Sequence, residues 1–382
     1  MQFKEIVGQE EIKRQLIQTV VENRVSHAQL FLSAEGTGAL PLAIAYAQYI
    51  NCLDKTSTDS CGVCSSCRKY ERYIHPDLHF SYPFFASKDV KIAVDVLEEW
   101  RTMLLADPYF DLDIWRQQLS ADNKQANINI AECHDIIKKL SYKAFEAETK
   151  VLIMWLPEYL EKEGNSLLKI IEEPPANTLF LLVANNQEHI LSTLLSRTQI
   201  VKIPKLPSQT IENYLISNNN LSGEQASTYS FLADGNLIEA KIQAAQSHND
   251  NAEVFADWLR MGYGNKVLDL VNFVDQAASW GRENQKNFLK YGISFLRECS
   301  LLMNGADSLV KLPVRTLDTA QKLSKHVLDL NMASAIITEL EQAHYHIERN
   351  ANPKILFLDV SLQLVKIIKF KTLPKGTQHI YN

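Results

Sequence analysis

Apolar and polar positions alternate along the first two hundred residues in two rhythms. Residues 10–22, "EEIKRQLIQTVVE", have the spacing of an amphipathic helix, and "AQLFLS" at 28–33 then reads as a short buried strand. A glycine-containing turn follows, and the apolar run from Ala39 to about Tyr49 reads as a second helix, with Pro41 tolerated in its first turn. Further strands are expected at 77–82 ("DLHFSY"), 128–130 ("INI"), 150–155 ("KVLIMW"), 178–184 ("TLFLLVA") and 198–203 ("TQIVKI"). Helical spacing separates most of them, as in "AECHDIIKKLSYKAF" (131–145) and "GNSLLKIIEE" (164–173). Strands that alternate with helices predict an α/β domain, a mostly parallel sheet covered on both faces.

Beyond Pro204 and Pro207 the strand-like runs stop. A small helical unit is expected at 208–246, then a polar linker, "QSHNDN", and an all-α bundle over about 252–372 with breaks near "YGN" and "NGAD". The segment 83–127, rich in aromatics and charge, has one clear helix, "VDVLEEWRTMLL", and reads as an insertion in the α/β domain. A partner-binding surface and an ordinary satellite core both fit its composition.

Composition narrows the function. With 382 residues and a formal charge of -6, the chain has room for two or three domains and lacks the basic footprint of a protein that binds duplex nucleic acid alone. The charged N-terminus has no signal-peptide pattern, and no apolar run reaches the length of a membrane span, so a cytoplasmic location with no membrane partner is expected. Four of the six cysteines, Cys52, Cys61, Cys64 and Cys67, form the pattern C-x8-C-x2-C-x2-C. Four thiolates close a tetrahedral shell around zinc and leave no open position, so the expected cofactor is a structural zinc ion. The rival reading of a C-x-x-C pair is a redox motif, which usually works alone. Cys133 and Cys299 stand apart and are expected to be packing residues.

The stretch "SAEGTGAL" lies where a phosphate-binding loop of the form G-x-x-x-x-G-K-[ST] would. Aligned on Gly38, it has Ser33 for the first glycine, Ala39 for the lysine and Leu40 for the hydroxyl residue, while Gly36 and Gly38 still permit the turn. The strand at 150–155 ends on Trp155 and Leu156, where a magnesium-binding aspartate and a glutamate would be needed. Three independent parts of one machine are missing. ATP hydrolysis is therefore not expected, and weak nucleotide binding through backbone amides is left open.

These residues carry a family resemblance. "VGQEEIKRQLIQTVVENRVSHAQLFLSAEGTGA", the cysteine cluster, "HPDLHF", "NSLLKIIEEPPANTLFLLVANN", "LLSRTQIVKIP" and "RNANPKILFLDVSLQL" occur in the order found in clamp-loader ATPases. Nearly the whole chain apart from 83–127 resembles that family, most nearly the delta-prime branch of the bacterial DNA polymerase III clamp loader. The resemblance implies a RecA-like AAA+ domain over 1–206 carrying the zinc module (52–67) and the insertion (about 83–127), a helical lid over 207–248 and a helical collar over 249–382. It also implies a role in DNA replication as part of a hetero-oligomer. The partners would be motor subunits of the gamma/tau type and delta-type subunits met through the collar, with primed DNA and the sliding clamp met by the whole assembly.

In that family a serine-arginine-cysteine motif sends an arginine into a neighbour's ATP site. The matching residues are Ser196, Arg197 and Thr198, so the arginine is kept and the third position departs. ATP-using relatives have an arginine three residues after a lid glycine; after Gly235 this chain has Ile238. Two other functions remain as alternatives: an active ATPase motor of the same family, and a stand-alone zinc-containing DNA-binding protein. His75 is expected to shape a turn, and Glu172 and Glu173 to end a helix before Pro174 and Pro175.

Overall fold

The computed structural model describes residues 1–121, 124–245, 251–349 and 351–372. The alternating rhythm becomes a five-stranded parallel sheet. In chain order the strands are β1 (Ala28–Ser33), β2 (Leu78–Ser81), β3 (Phe84–Phe85), β4 (Ala126–Asn127), β5 (Lys150–Trp155), β6 (Thr178–Ala184) and β7 (Gln199–Ile203). The large sheet has the order β2-β5-β6-β1-β7, and β3 pairs with β4 as a separate antiparallel ribbon. Its two faces bury different side chains, as the period of two requires. Phe31, Ile153, Leu181 and Val183 point into one core, and Leu30, Leu152, Phe180 and Leu182 into the other.

The helices of this part are α1 (Glu10–Val21), α2 (Ala39–Ile50), α3 (Ser65–Glu71), α4 (Leu97–Ala106), α5 (Leu112–Gln118), α6 (Ile130–Ser141), α7 (Leu168–Glu172) and α8 (Ser192–Leu195). Every residue of α2 but its last is buried, so this helix is core rather than an amphipathic cover. Two expectations are corrected. "INI" (128–130) is not a strand: Asn129 caps α6, its side chain accepting the Glu132 N–H, so Ile130 is already helical. The helix expected over 131–145 stops at Ser141, where the buried Lys150 ammonium takes the carbonyls of Leu140 and Tyr142 that another turn would use.

The segment 83–127 contributes core. Trp100, Phe110 and Trp115 are buried in the same cluster as Phe31 and Ile153. The Trp100 ring stacks on Tyr82 with centroids 3.9 Å apart, and both Trp100 and Phe110 pack against Trp155, at 5.4 and 5.2 Å. Such rings bury large areas and lock one another in place.

The remaining helices are α9 (Ser208–Asn219), α10 (Gly223–Ala233), α11 (Leu237–Ala245), α12 (Asn251–Gly264), α13 (Val267–Ser279), α14 (Arg282–Met303), α15 (Val314–His326), α16 (Leu330–Glu348) and α17 (Pro353–Ile368). The expected breaks fall after Gly264 and Met303; of the linker at 246–251, all but Asn251 lies outside the described residues. By packing, the chain forms two compact units: residues 1–221 with 233–243, and residues 222–232 with 244–382. No helix among the described residues is long and apolar enough to cross a membrane.

The second unit has its own core around Phe255, Trp258, Phe288 and Leu340. Gly292 lies within α14 because a Cβ there would meet the Phe255 ring at 2.4 Å and Leu340 at 3.0 Å. Gly292→Ala is expected to destabilise this unit by about 1–3 kcal/mol through overpacking, although alanine is the better helix former. Denaturant unfolding of the variant measures it.

Candidate functional site

The glycine loop follows β1 at the carboxyl end of the sheet, in the crevice where the chain crosses from one side of β1 to the other, a position that commonly binds ligands. Gly36 and Gly38 both have positive φ, +71° and +91°, so the backbone turn of a phosphate loop is present. Its side chains offer phosphate neither a charge nor a hydroxyl at the two key positions. Ala39 and Leu40 are buried at 6% and 5% exposure, Leu40 in the core beneath the loop.

Both glycines of the loop are packed against this chain's own residues. A Cβ at Gly36 would lie 1.8 Å from Asn236 Oδ1, and one at Gly38 would lie 3.1 Å from the Tyr109 ring. Asn236 caps α11 by accepting the N–H groups of Ile238 and Glu239, and Leu237 N donates to Gly36 O at 3.0 Å. Tyr109 is held by its hydroxyl, which accepts from Val7 N at 2.9 Å, and by the Lys241 ammonium 4.7 Å from its ring centroid. Lys241 is itself paired with Asp107 at 2.7 Å. A cavity of about 30 Å³ remains, lined also by Ser33, Trp155, Asn185 and Ile238. That is room for a water or two.

Trp155 and Leu156 are buried, and Trp155 joins the aromatic cluster of Trp100 and Phe110. The nearest acid along the chain, Glu158, is spent on structure: its carboxylate accepts the N–H groups of Asn185 and Asn186 at 2.5 and 2.8 Å, and burial raises its pKa. Restoring the lost side chains as Ala39→Lys with Leu40→Thr is therefore expected to give no measurable nucleotide binding. Titration of a fluorescent ATP analogue into the purified double variant tests this, and micromolar binding would show that Tyr109 and Asn236 yield.

Arg197 sits just past α8, on the surface, with its side chain about one-third exposed. Nε donates to Glu172 Oε2 at 2.9 Å, and Nη1 donates to the Thr193 carbonyl at 3.1 Å and Ser196 Oγ at 3.4 Å. Thr198 turns its hydroxyl back to the carbonyls of Leu194 and Leu195, fastening the end of α8.

The four cysteines converge as their spacing predicts. Their sulfurs all lie within 4.8 Å of one another, and Cys61 Sγ is 3.9 Å from Cys67 Sγ. A tetrahedral zinc with bonds of about 2.3 Å separates its sulfurs by about 3.8 Å, so the set fits such an ion. Successive backbone N–H groups point at the sulfurs: Cys61 N to Cys52 Sγ, Cys64 N to Cys61 Sγ and Cys67 N to Cys64 Sγ, at 3.2 to 3.4 Å. These dipoles favour thiolate. The N–H groups of Val63 and Cys64 draw the Cys61 thiol down to about 7, whereas burial pushes Cys52 and Cys67 up. All six cysteines are free thiols, and Cys133 and Cys299 are buried. His75 takes no part; its Nδ1 accepts from Asp77 N and its ring packs on Tyr70.

Tyr109, Asn236 and the ion-pairing of Glu172 were not foreseen from sequence. Asn236 after Gly235 carries a helix-start signal, but nothing local says that the cap also fills a loop 200 residues earlier.

Known proteins give the context. The family model described as "DNA polymerase III, delta subunit" matches residues 8–207, more than half of the chain. The delta' subunit of DNA polymerase III from Bacillus subtilis is 26% identical over 211 residues, 55% of this chain and 52% of that protein. The tau subunit from the same organism is 23% identical over 373 residues, 97% of this chain and 51% of that protein. The chain thus spans about half the length of these curated relatives. Among solved structures, a DNA polymerase III gamma subunit-related protein from Thermotoga maritima aligns with a TM-score of 0.37 at 12% identity, over 94% of this chain and 99% of that one.

Proposed function

Because the chain belongs to the DNA polymerase III delta subunit family of clamp-loader proteins, we propose that it is a ring member that does not hydrolyse ATP and supplies Arg197 to the nucleotide held by an adjacent motor subunit. The observation that carries this reading is a contrast between two sites on one chain. The glycine loop is packed against Tyr109 and Asn236 and lacks the charged side chains of a phosphate site, whereas the Arg197 guanidinium is about one-third exposed and keeps one nitrogen uncommitted among the described residues. A guanidinium can stabilise the charge that develops on a γ-phosphate without any nucleotide on its own chain.

In this reading residues 1–206 form the AAA+ domain, 207–248 its lid and 249–382 the collar through which motor and delta-type subunits are met. Exposed apolar positions agree with an assembly face in the last region. Ile355, Leu358 and Leu362 fall at i, i+3 and i+7 on α17, and Leu268 is 81% exposed on α13. ATP on the neighbouring motor would favour a ring that opens the sliding clamp and places it on primed DNA. The four cysteines would hold a structural zinc ion that fixes the loop between α2 and α3.

Reconstitution with motor subunits tests the proposal by measuring ATPase activity with and without this chain. The chain alone should be inactive and its addition should raise turnover. ATP hydrolysis by the purified chain would mark it instead as a motor.

A further inference from the structure

The guanidinium of Arg197 is fixed by its own chain on two sides. Glu172 Oε2 holds Nε, while the Thr193 carbonyl and Ser196 Oγ hold Nη1. Nη2 makes no hydrogen bond among the described residues. Two fixed nitrogens define the plane of the group, and the third is offered to whatever approaches. Glu172 is well placed to do this because it is the last residue of α7, and the segment after it is stiffened by Pro174 and Pro175, which restrict Glu173 and themselves.

We propose that Glu172 is a positioning residue for Arg197, orienting the guanidinium so that Nη2 meets a phosphate oxygen of the neighbouring subunit's nucleotide. This rests on the finger role given to Arg197 above. Two effects of the carboxylate oppose each other. Its charge partly offsets that of the guanidinium, but Glu172 is 58% exposed and Arg197 about one-third exposed, so water and salt reach the pair and screen that term. Orientation is not screened. A long side chain free to rotate spends most of its time away from the productive geometry, and a misplacement of 1 Å can cost about 100-fold in rate. Positioning therefore outweighs charge offset.

The test uses the full chain in the reconstituted loader with sliding clamp and primed DNA, comparing Glu172→Ala, Glu172→Gln, Arg197→Ala and the double Glu172→Ala/Arg197→Ala. Glu172→Ala should slow the single-turnover phase of the ATP site that faces this chain about fivefold, the scale of an exposed ion pair, with KM and melting temperature unchanged. Glu172→Gln, whose carbonyl can still accept from Nε, should recover most of the loss. The double variant should equal Arg197→Ala alone, since a residue that acts through the arginine has nothing to act on without it. If Arg197→Ala slows turnover while Glu172→Ala matches or exceeds the unmodified chain, or if the double variant falls below Arg197→Ala, the positioning role is overturned and the finger stands. If Arg197→Ala leaves turnover unchanged, the finger fails and Glu172 with it.

Discussion

Arg197→Ala is expected to slow ATP hydrolysis at the one site that faces this chain by about 10³-fold or more, the scale of an arginine supplied in trans. The loss should be confined to that site, so phosphate release in a single turnover would lose the phase of that site and retain any phase from sites that do not face this chain. Assembly should survive. The Arg197 side chain is about one-third exposed, and its bond to Glu172 is a surface ion pair worth at most about 1 kcal/mol. The melting temperature should therefore stay within a few degrees. Arg197→Lys should be nearly as damaging, because an ammonium keeps the charge but cannot hold Nε and Nη1 contacts while presenting a third nitrogen. A variant that assembles, melts normally and hydrolyses ATP at the unmodified rate would remove Arg197 from the reaction.

How much of this could be read from the sequence depended on the distance between the residues concerned. Local signals held: the strands at 28–33, 150–155 and 178–184 fell where period and apolar content put them, and the cysteines met because their spacing lies within sixteen residues. The three residues of "INI" were misread because a short apolar run is ambiguous, and the Asn129 cap decided it. Nonlocal pairing was invisible. Trp155 in place of an acid reads as a missing magnesium ligand, but the packing partners of that tryptophan, Trp100 and Phe110, lie within a segment that reads only as an insertion. Likewise Ala39 and Leu40 read as lacking the charged and hydroxyl side chains of a phosphate loop. That the loop's two glycines pack against Tyr109 and Asn236, 71 and 198 positions after Gly38, follows only from the fold.

Removing the metal is expected to have the largest effect on stability. Between α2 and α3 the chain runs from Asn51 to Cys64 without regular structure, held by the four converging sulfurs and by hydrogen bonds to Tyr49, Gln48 and Thr149. Asp59 accepts the N–H groups of Phe3 and Lys4, and Gln2 reaches Ser60 O, so the N-terminal strap is docked on this same loop. Cys52 and Cys67 are buried at 4% and 1% exposure, and without a cation their thiols would face two others in a space shaped for an ion. Structural zinc contributes about 10–16 kcal/mol of binding free energy in small domains at neutral pH, part of which becomes folding free energy. Even about 3 kcal/mol lost from a unit of this size would lower its melting temperature by roughly 6–12 °C. Cys67→Ser, or chelator with the unmodified chain, should produce such a drop together with release of one zinc per chain, whereas Cys299→Ala should release none. Acid should act like chelator, because protons compete with the metal for thiolate, so the stabilisation is present at neutral pH and lost as pH falls. The redox reading makes the opposite prediction: no bound metal, and a mass lower by two hydrogens for each disulfide formed on mild oxidation. Finding that pattern in the purified chain would reassign Cys52, Cys61, Cys64 and Cys67 to thiol exchange.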